Sequence, residues 1–227
     1  MTILAVTGLR REASILRGTG LKVVVGGGRA AALEAALARE AAAEGVVSIG
    51  LAGALDPELS PGDWVTATAV LSEAGDHPTD PHWTAEILGR LAPRGYGPIL
   101  GSDRMLVAAA DKKAAHLRCG ALAVDMESHV AARAAARLQA PFAAIRVVSD
   151  SAGADLPPAV LVGMKADGGM ALGAVLLDLA RNPRQLPALL RTGRDAERAF
   201  RALADGRRLL GPRIGLPDLM QLPLDVG

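Results

Sequence analysis

Three acidic residues stand at the ends of predicted β-strands and could share one crevice. Glu12, Glu127 and Asp150 each lie at or just beyond such an end. In an open α/β sheet, ligands bind outside the carboxyl ends of the strands. Carboxyl groups that converge there can divide acid and base roles between them. The spacing therefore points to a catalytic or ligand-binding edge.

The elements that would carry these acids alternate between short strands and Ala-rich helices. Strands are predicted at residues 3–7, 21–25, 46–50, 63–71, 98–101, 121–124 and 142–149. Helices are predicted at 29–43, 109–118, 127–138, 165–180 and 186–204. This alternation indicates an α/β protein with a largely parallel or mixed sheet.

The composition is that of a globular chain and excludes several classes of site. Of 227 residues, 50% are hydrophobic and 22% charged, with a formal net charge of +1. The single cysteine, Cys119, excludes an intrachain disulfide and a cysteine-based metal cluster. The four histidines lack the spacing of a zinc hydrolase, so no metal site is expected. Aromatic residues make up only 2%, which argues against a nucleic-acid stacking platform.

The amino terminus favours a cytoplasmic protein. The apolar stretch of residues 1–6 is followed, not preceded, by Arg10 and Arg11, which is the reverse of a secretory signal. No apolar run reaches the length of about 18 residues that a membrane-spanning helix requires.

A glycine-rich turn at Gly26–Gly28 follows a strand and precedes a helix, as in dinucleotide-binding proteins. The next strand, however, ends without the acidic residue that would bind a ribose. We therefore expect these glycines to allow a tight turn and a close approach of the helix to a ligand or the sheet. Neither a P-loop nor a G-x-S-x-G nucleophile elbow is present.

Three segments taken together resemble one enzyme family. G-L-A-G-A-L-D-P-x-L-x-P-G-D-x-V starts at Gly50, V-D-M-E at Val124 and R-V-V-S-D-S-A at Arg146. In this order they resemble the purine nucleoside phosphorylase and methylthioadenosine/S-adenosylhomocysteine nucleosidase superfamily, over residues 3–180. The resemblance implies a three-layer α/β fold with a central mixed, twisted, partly barrel-like sheet flanked by helices. It also implies a homo-oligomer without an organic cofactor.

Within that superfamily the Arg-rich first turn, the short length and the basic carboxyl-terminal extension look most like the hopanoid-biosynthesis branch. That resemblance implies cleavage of adenosylhopane, a lipid-linked purine nucleoside, with release of adenine. A hydrolytic nucleosidase for methylthioadenosine or S-adenosylhomocysteine is one alternative. A non-catalytic nucleoside-binding module is another.

The resemblance also assigns roles to the acids. Asp150 matches the general acid that protonates N7 of the purine, and Glu127 the residue that binds the ribose hydroxyls. Glu12 matches the residue that activates the nucleophile. Each could instead have a local role, Asp150 as a turn cap, Glu127 at a helix start and Glu12 as a solvated acid. The resemblance places further residues against the substrate: Ala52, Gly53, Met105, Leu106, Met126 and Ser149.

The residues of the turn after the first strand indicate which nucleophile the protein uses. Arg10 and Arg11, next to Gly8, suit phosphate, because a guanidinium group binds phosphate in a bidentate fork. Phosphorolysis is therefore favoured, with phosphate as a co-substrate, although both arginines could simply be solvent-exposed. Leu51 stands where relatives place a polar residue facing the nucleophile, so a phosphate site would be built differently.

The long segment Ser72–Thr84 is predicted to be a loop, either a binding loop or a surface excursion. His77, His82 or Trp83 on it could cover the 5′ side of the sugar.

The division expected along the chain is a catalytic domain, residues 1–180, followed by a basic helical extension and a Leu- and Pro-rich tail, residues 181–227. The extension carries nine arginines against five acids. Its apolar residues recur at helical spacing and could pack on the catalytic domain, on a second subunit or on an anionic membrane surface at the inner face of the membrane.

Overall fold

The computed structural model describes residues 2–17, 20–163, 168–169, 178–179 and 181–217. The helix predicted at 165–180 therefore lies almost wholly outside the described residues. So does the Leu- and Pro-rich end of the chain from residue 218.

Eight strands and seven α-helices are placed in the described part of the chain. The strands are β1 (Ile3–Thr7), β2 (Leu21–Val25), β3 (Gly45–Ala54), β4 (Trp64–Ser72), β5 (Gly75–Pro78), β6 (Gly95–Gly101), β7 (Ala123–Asp125) and β8 (Phe142–Asp150). The helices are α1 (Arg10–Leu16), α2 (Ala30–Leu37), α3 (Pro81–Leu91), α4 (Ala109–Cys119), α5 (Ser128–Leu138), α6 (Pro158–Gly163) and α7 (Leu186–Leu210), with a 3₁₀ turn at Pro183–Gln185.

Five of the strands close on themselves. Around this closed sheet β3 pairs with β8, β8 with β4, β4 with β6, β6 with β7, and β7 again with β3. The pairs β3–β8, β4–β6 and β6–β7 are parallel, whereas β8–β4 and β7–β3 are antiparallel. Strands β1 and β2 extend the sheet in parallel from β3. The predicted mixed, partly barrel-like sheet flanked by helices is confirmed.

Helix α7 packs on the sheet through one apolar face. Ala199, Leu203 and Leu210 are fully buried and join a core cluster with residues of β1, β3 and β8. This is one of the arrangements that the helical spacing allowed. The amino-terminal end of α7 is different, because Leu186 and Leu190 stay 42% and 51% exposed. None of the described helices has the length and apolarity needed to cross a membrane.

The prediction of a loop over Ser72–Thr84 is wrong. Strand β5 turns back on β4, pairing Ser72 with Gly75, and α3 begins at Pro81. The side chain of Asp80 accepts a hydrogen bond from the Trp83 amide and so caps α3. Local capping and hairpin pairing therefore override the Gly and Pro content on which the loop prediction rested.

Trp83 cannot cover the sugar, because it is fully buried and its indole N–H donates to the carbonyl of Ile214, 2.8 Å away. The predicted helix at 29–43 is also too long. It ends at Leu37, and its carboxyl-terminal part is irregular chain up to β3.

Two glycines of α7 provide a test of how tightly this helix is packed. A methyl group at buried Gly206 would overlap the indole of Trp64 and lie 3.1 Å from Leu91, whereas exposed Gly193 has nothing within 4 Å. We expect Gly206→Ala to lower the free energy of unfolding by about 1–3 kcal/mol through overpacking. Gly193→Ala, the matched control, should raise it by up to about 1 kcal/mol through helix propensity. Urea denaturation measures both; equal effects would contradict the packing described.

Candidate active site

Glu12 is a buried carboxylate that joins the first turn of α1 to the central strand. Its Oε2 accepts hydrogen bonds from the amides of Gly8 (2.8 Å) and Leu9 (2.7 Å), which lie just before the helix. Its Oε1 accepts from the amide of Leu51 in β3, at 2.7 Å. Glu12 thus caps its own helix and also reaches the sheet, so the interpretation as a solvated acid is wrong.

The glycine at position 50 makes room for that carboxylate. A Cβ on Gly50 would lie 2.8 Å from Oε1 of Glu12, closer than real Cβ atoms come. Leu51 contributes its backbone amide to the site. This hydrogen bond to Glu12 therefore does not depend on the polar side chain that the resemblance leads one to expect at position 51.

Glu127 lies beside Glu12 at the start of α5, against two further glycines. A Cβ on Gly8 would lie 3.0 Å from both of its carboxylate oxygens, and one on Gly26 would lie 2.8 Å from its Cγ. The amide of Gly28 donates to Oε1, at 3.2 Å. The glycine-rich turn therefore approaches Glu127, an acidic side chain of the protein itself.

Burial makes both acids reluctant to ionise, and neighbouring negative charges add to this effect at Glu127. The pKa of Glu127 is raised to about 8, mainly by burial, then by the negative charges of Asp125 and Glu12. Burial likewise raises the pKa of Glu12, although hydrogen bonds from three backbone amides and the charge of Arg146 oppose the change. A pair of this kind can hold or accept a proton near neutral pH.

A buried ion pair lies beneath Glu127. Arg146 of β8 donates from Nε to Oδ2 of Asp125, at 2.5 Å, and from a terminal nitrogen to the hydroxyl of Ser48, at 2.5 Å. The other oxygen of Asp125 accepts from the amides of Glu127 and Ser128. Asp125 therefore fixes the first turn of α5, and with it the backbone that carries Glu127. Sequence reasoning missed this role of Arg146 and Asp125, although both lie inside the segments singled out above.

Asp150 ends β8 against a fourth glycine, Gly53 of β3. A Cβ on Gly53 would lie 3.1 Å from its Oδ2. The register between β3 and β8 shifts after Ala52, which pairs with Val148, so that Gly53 pairs with Asp150 and not with Ser149. Because alternate residues of a strand point to opposite faces, this bulge decides that Asp150 meets Gly53.

Both oxygens of Asp150 have partners from the protein. Ser149 donates its hydroxyl to Oδ1, at 2.8 Å, and to the carbonyl of Ala52, at 3.1 Å. The ammonium group of Lys112 lies 2.5 Å from Oδ2. Sequence reasoning missed Lys112 because it lies in α4, far from every motif, and no local pattern distinguishes it from the neighbouring Lys113.

The structure places Arg10 and Arg11, two of the three residues predicted to bind phosphate, on the exposed side of α1. Arg11 forms an ion pair with Glu197, at 2.7 Å, and its guanidinium group lies 4.0 Å from the centre of the Phe200 ring. The Arg10 side chain is exposed, and its amide donates to the carbonyl of Gly168. The amide of Gly8 is already bonded to Glu12. A phosphate-binding role for these three residues stays a prediction.

The remaining residues predicted to contact the substrate lie on two connections, on β5 and on α3. Met105 and Leu106 are half-buried between β6 and α4, and half-buried Met126 lies between Asp125 and Glu127. His82 is exposed on α3, whereas His77 is half-buried on β5. Among the residues that the structure describes, no group of three His, Cys, Asp or Glu side chains is arranged to hold a metal ion.

A known protein family matches most of this chain in sequence. The family model described as the phosphorylase superfamily matches residues 3–167. A 5′-methylthioadenosine/S-adenosylhomocysteine nucleosidase of Mycobacterium bovis is 29% identical over 48% of this chain and 60% of its own length. The match therefore spans less than two thirds of that relative.

Solved structures show the same fold at low sequence identity. The futalosine hydrolase of Helicobacter pylori superposes with a TM-score of 0.65 at 14% identity, covering 92% of this chain and 97% of the other. A methylthioadenosine/S-adenosylhomocysteine nucleosidase of Colwellia psychrerythraea in complex with adenine gives 0.64 at 18% identity, covering 95% and 94%.

The raised pKa of Glu127 predicts a pH-dependent cost to stability. A buried acid with a raised pKa stabilises the fold fully below its unfolded value, near 4.5, and this contribution is lost as the pH rises through about 8. Glu127→Gln removes the ionisation. The melting temperature of this variant should therefore rise relative to that of the unsubstituted protein as the pH increases from 4.5 to 8. Each unit by which the pKa is raised corresponds to about 1.4 kcal/mol in the free energy of unfolding.

The control for this measurement is Glu58→Gln at an exposed glutamate. Its melting temperature should follow that of the unsubstituted protein across the same range. A difference between Glu127→Gln and the parent that does not change with pH would show that Glu127 is not held in this environment.

Proposed function

Because the chain belongs to the phosphorylase superfamily, we propose that it cleaves the N-glycosidic bond of a 5′-substituted adenosine and releases adenine. The observation that carries this proposal is the convergence of Glu12, Glu127 and Asp150, all buried, on glycines of neighbouring strands and turns. The relatives named as nucleosidases for methylthioadenosine and S-adenosylhomocysteine support the adenosine class.

Each acid has a part in this reaction. Asp150 gives a proton to N7 of the base, so that the electron pair of the breaking C1′–N9 bond leaves on a neutral adenine. Glu127 accepts hydrogen bonds from the ribose hydroxyls, which favour its ionised form and lower its pKa. Its negative charge then opposes the positive charge that develops on the sugar.

Glu12 supports water as the nucleophile. Its carboxylate is oriented by three backbone amides, and its pKa is raised by burial, which suits a group that takes a proton from water. Phosphate is the nucleophile that the sequence favours, through Arg10 and Arg11. The contacts of Arg11 with Glu197 and Phe200 would then have to be given up.

The assay that tests the proposal follows free adenine by chromatography. Methylthioadenosine, adenosine and adenosylhopane are each incubated with the full chain, with and without phosphate. We expect release of adenine from a 5′-substituted substrate, without phosphate if Glu12 activates water. Release only with phosphate would instead assign phosphorolysis and give Arg10 and Arg11 a role.

The variant that tests the role of Asp150 is Asp150→Asn, which keeps the shape of the side chain but cannot donate a carboxyl proton. Loss of general acid catalysis lowers rates by about 10²–10⁴-fold, so we expect a fall in kcat/KM of that order. No release of adenine from any substrate, or unchanged release by Asp150→Asn, would contradict the proposal.

A lipid-linked 5′ group is the finer part of the proposal, and the amino-terminal end of α7 supports it. Leu186 and Leu190 are exposed there among the exposed side chains of Arg184, Arg191 and Arg194. Apolar residues beside cationic ones are typical of helices that lie on an anionic lipid surface. This end of the helix would bring the site to a membrane-resident substrate such as adenosylhopane.

Liposome flotation tests this contact. The protein should float with vesicles that contain phosphatidylglycerol and not with phosphatidylcholine alone, and Arg191→Glu with Arg194→Glu should reduce flotation several-fold. The control is Arg208→Glu near the opposite end of α7. Equal recovery of all variants, or no binding to either vesicle, would refute the membrane contact.

A further inference from the structure

We propose that Lys112 is a positioning residue for the reaction, one that acts through Asp150. It would fix the carboxyl group of Asp150 and stabilise the carboxylate that forms when the proton passes to the leaving base. This inference rests on the proposed function of Asp150.

The first argument is the burial of a full positive charge. Lys112 has no exposed surface, and lysine is almost never fully buried unless it is paired. Its Nζ has three acceptors: Oδ2 of Asp150 at 2.5 Å, the carbonyl of Ala154 at 2.9 Å and the carbonyl of Ser151 at 3.2 Å. Three acceptors match the three protons of an ammonium group.

The second argument is the position of the pair. Asp150 is the last residue of β8, and Ser151 and Ala154 belong to the connection that follows. The same connection is bonded to the chain before α4, through the amide of Ala109 to the carboxylate of Asp155 and the amide of Leu156 to the carbonyl of Val107. Lys112 therefore joins the proposed acid to the segment that carries Met105 and Leu106.

The chemical consequence follows from the proton balance. Asp150 enters the step with a proton and leaves it as a carboxylate, while N7 gains that proton and N9 keeps the electron pair of the broken bond. Lys112 keeps all its protons. An ammonium group 2.5 Å from Oδ2, in a site shielded from water, stabilises the negative charge that appears on Asp150 during the step. It also prevents rotation of the carboxyl group away from the base.

A substrate whose leaving group needs no proton can distinguish this positioning role from a general structural one. Nitrophenolate departs from 4-nitrophenyl β-D-ribofuranoside without acid catalysis. For Lys112→Met we expect kcat/KM for adenine release to fall at least tenfold, and that for nitrophenolate release to change less than threefold. Lys113→Met is the matched control, since it removes the same charge from an exposed site one residue away, and both rates should be unchanged.

A double-mutant cycle gives a second, independent readout. If Lys112 acts through Asp150, then Lys112→Met should cost less than threefold in an Asp150→Asn background, although it costs at least tenfold in the parent. If Lys112→Met does not fold, as judged by circular dichroism, Lys112→Gln takes its place. It keeps an N–H donor without the charge, and the same pattern is expected.

Two results would overturn the inference. One is an equal fall in adenine and nitrophenolate release, and the other is a full additive loss in the Asp150→Asn background. Either would assign Lys112 to the stability of the fold alone. These outcomes are distinct from failure of the proposed function, in which the unsubstituted protein releases no adenine from any adenosine substrate.

Discussion

The buried ion pair between Arg146 and Asp125 is the interaction on which the arrangement of the acids depends. It joins β8 to β7, and through Ser48 it also reaches β3. Asp125 uses its second oxygen to hold the amides at the start of α5, so the pair places Glu127. Removing one partner of such a pair leaves an uncompensated buried charge and costs about 3–5 kcal/mol. The charge of Arg146 also offsets part of the cost of burying Glu12 and Glu127.

Two buried cations thus balance the acids. Arg146 pairs with Asp125 next to Glu127, whereas Lys112 contacts Asp150 directly. Within the described part of the chain, the hydrogen bonds to Glu12 come from backbone amides. This difference in partners fits a division of labour, because a carboxyl beside an ammonium group can hold the negative charge left after it gives up a proton, and one held by amides in a buried site can accept a proton.

Glycine residues leave the space that the acidic side chains of the site occupy. Gly8, Gly26, Gly50 and Gly53 each stand where a Cβ would come within 2.8–3.1 Å of an acidic side chain. Gly50 and Gly53 lie three residues apart in β3, about 10 Å along a strand, and adjoin Glu12 and Asp150 respectively. One strand therefore adjoins both of these acids.

Much of this protein is determined locally by its sequence. The strand and helix periodicity predicted β1, β2, α4, α5 and β8 to within one or two residues. The three acids at strand ends were apparent from the same pattern. The helix that follows Asp80 was missed, since its cap and its proline at the first position were read as loop residues. Propensity alone could not distinguish these alternatives, because the burial of Trp83 against Ile214 comes from the far end of the chain.

Only the tertiary structure decided which charges meet. Lys112 and Lys113 are equivalent in the sequence, yet one is fully buried on Asp150 and the other is exposed. Arg11, which the sequence offered to phosphate, instead contacts Glu197 and Phe200 of α7. The bulge after Ala52 brings Asp150, and not Ser149, opposite Gly53. Residue type and spacing thus determined the chemistry available to the chain, whereas pairing register and long-range packing selected the groups that share the site, because these contacts join residues far apart in the sequence.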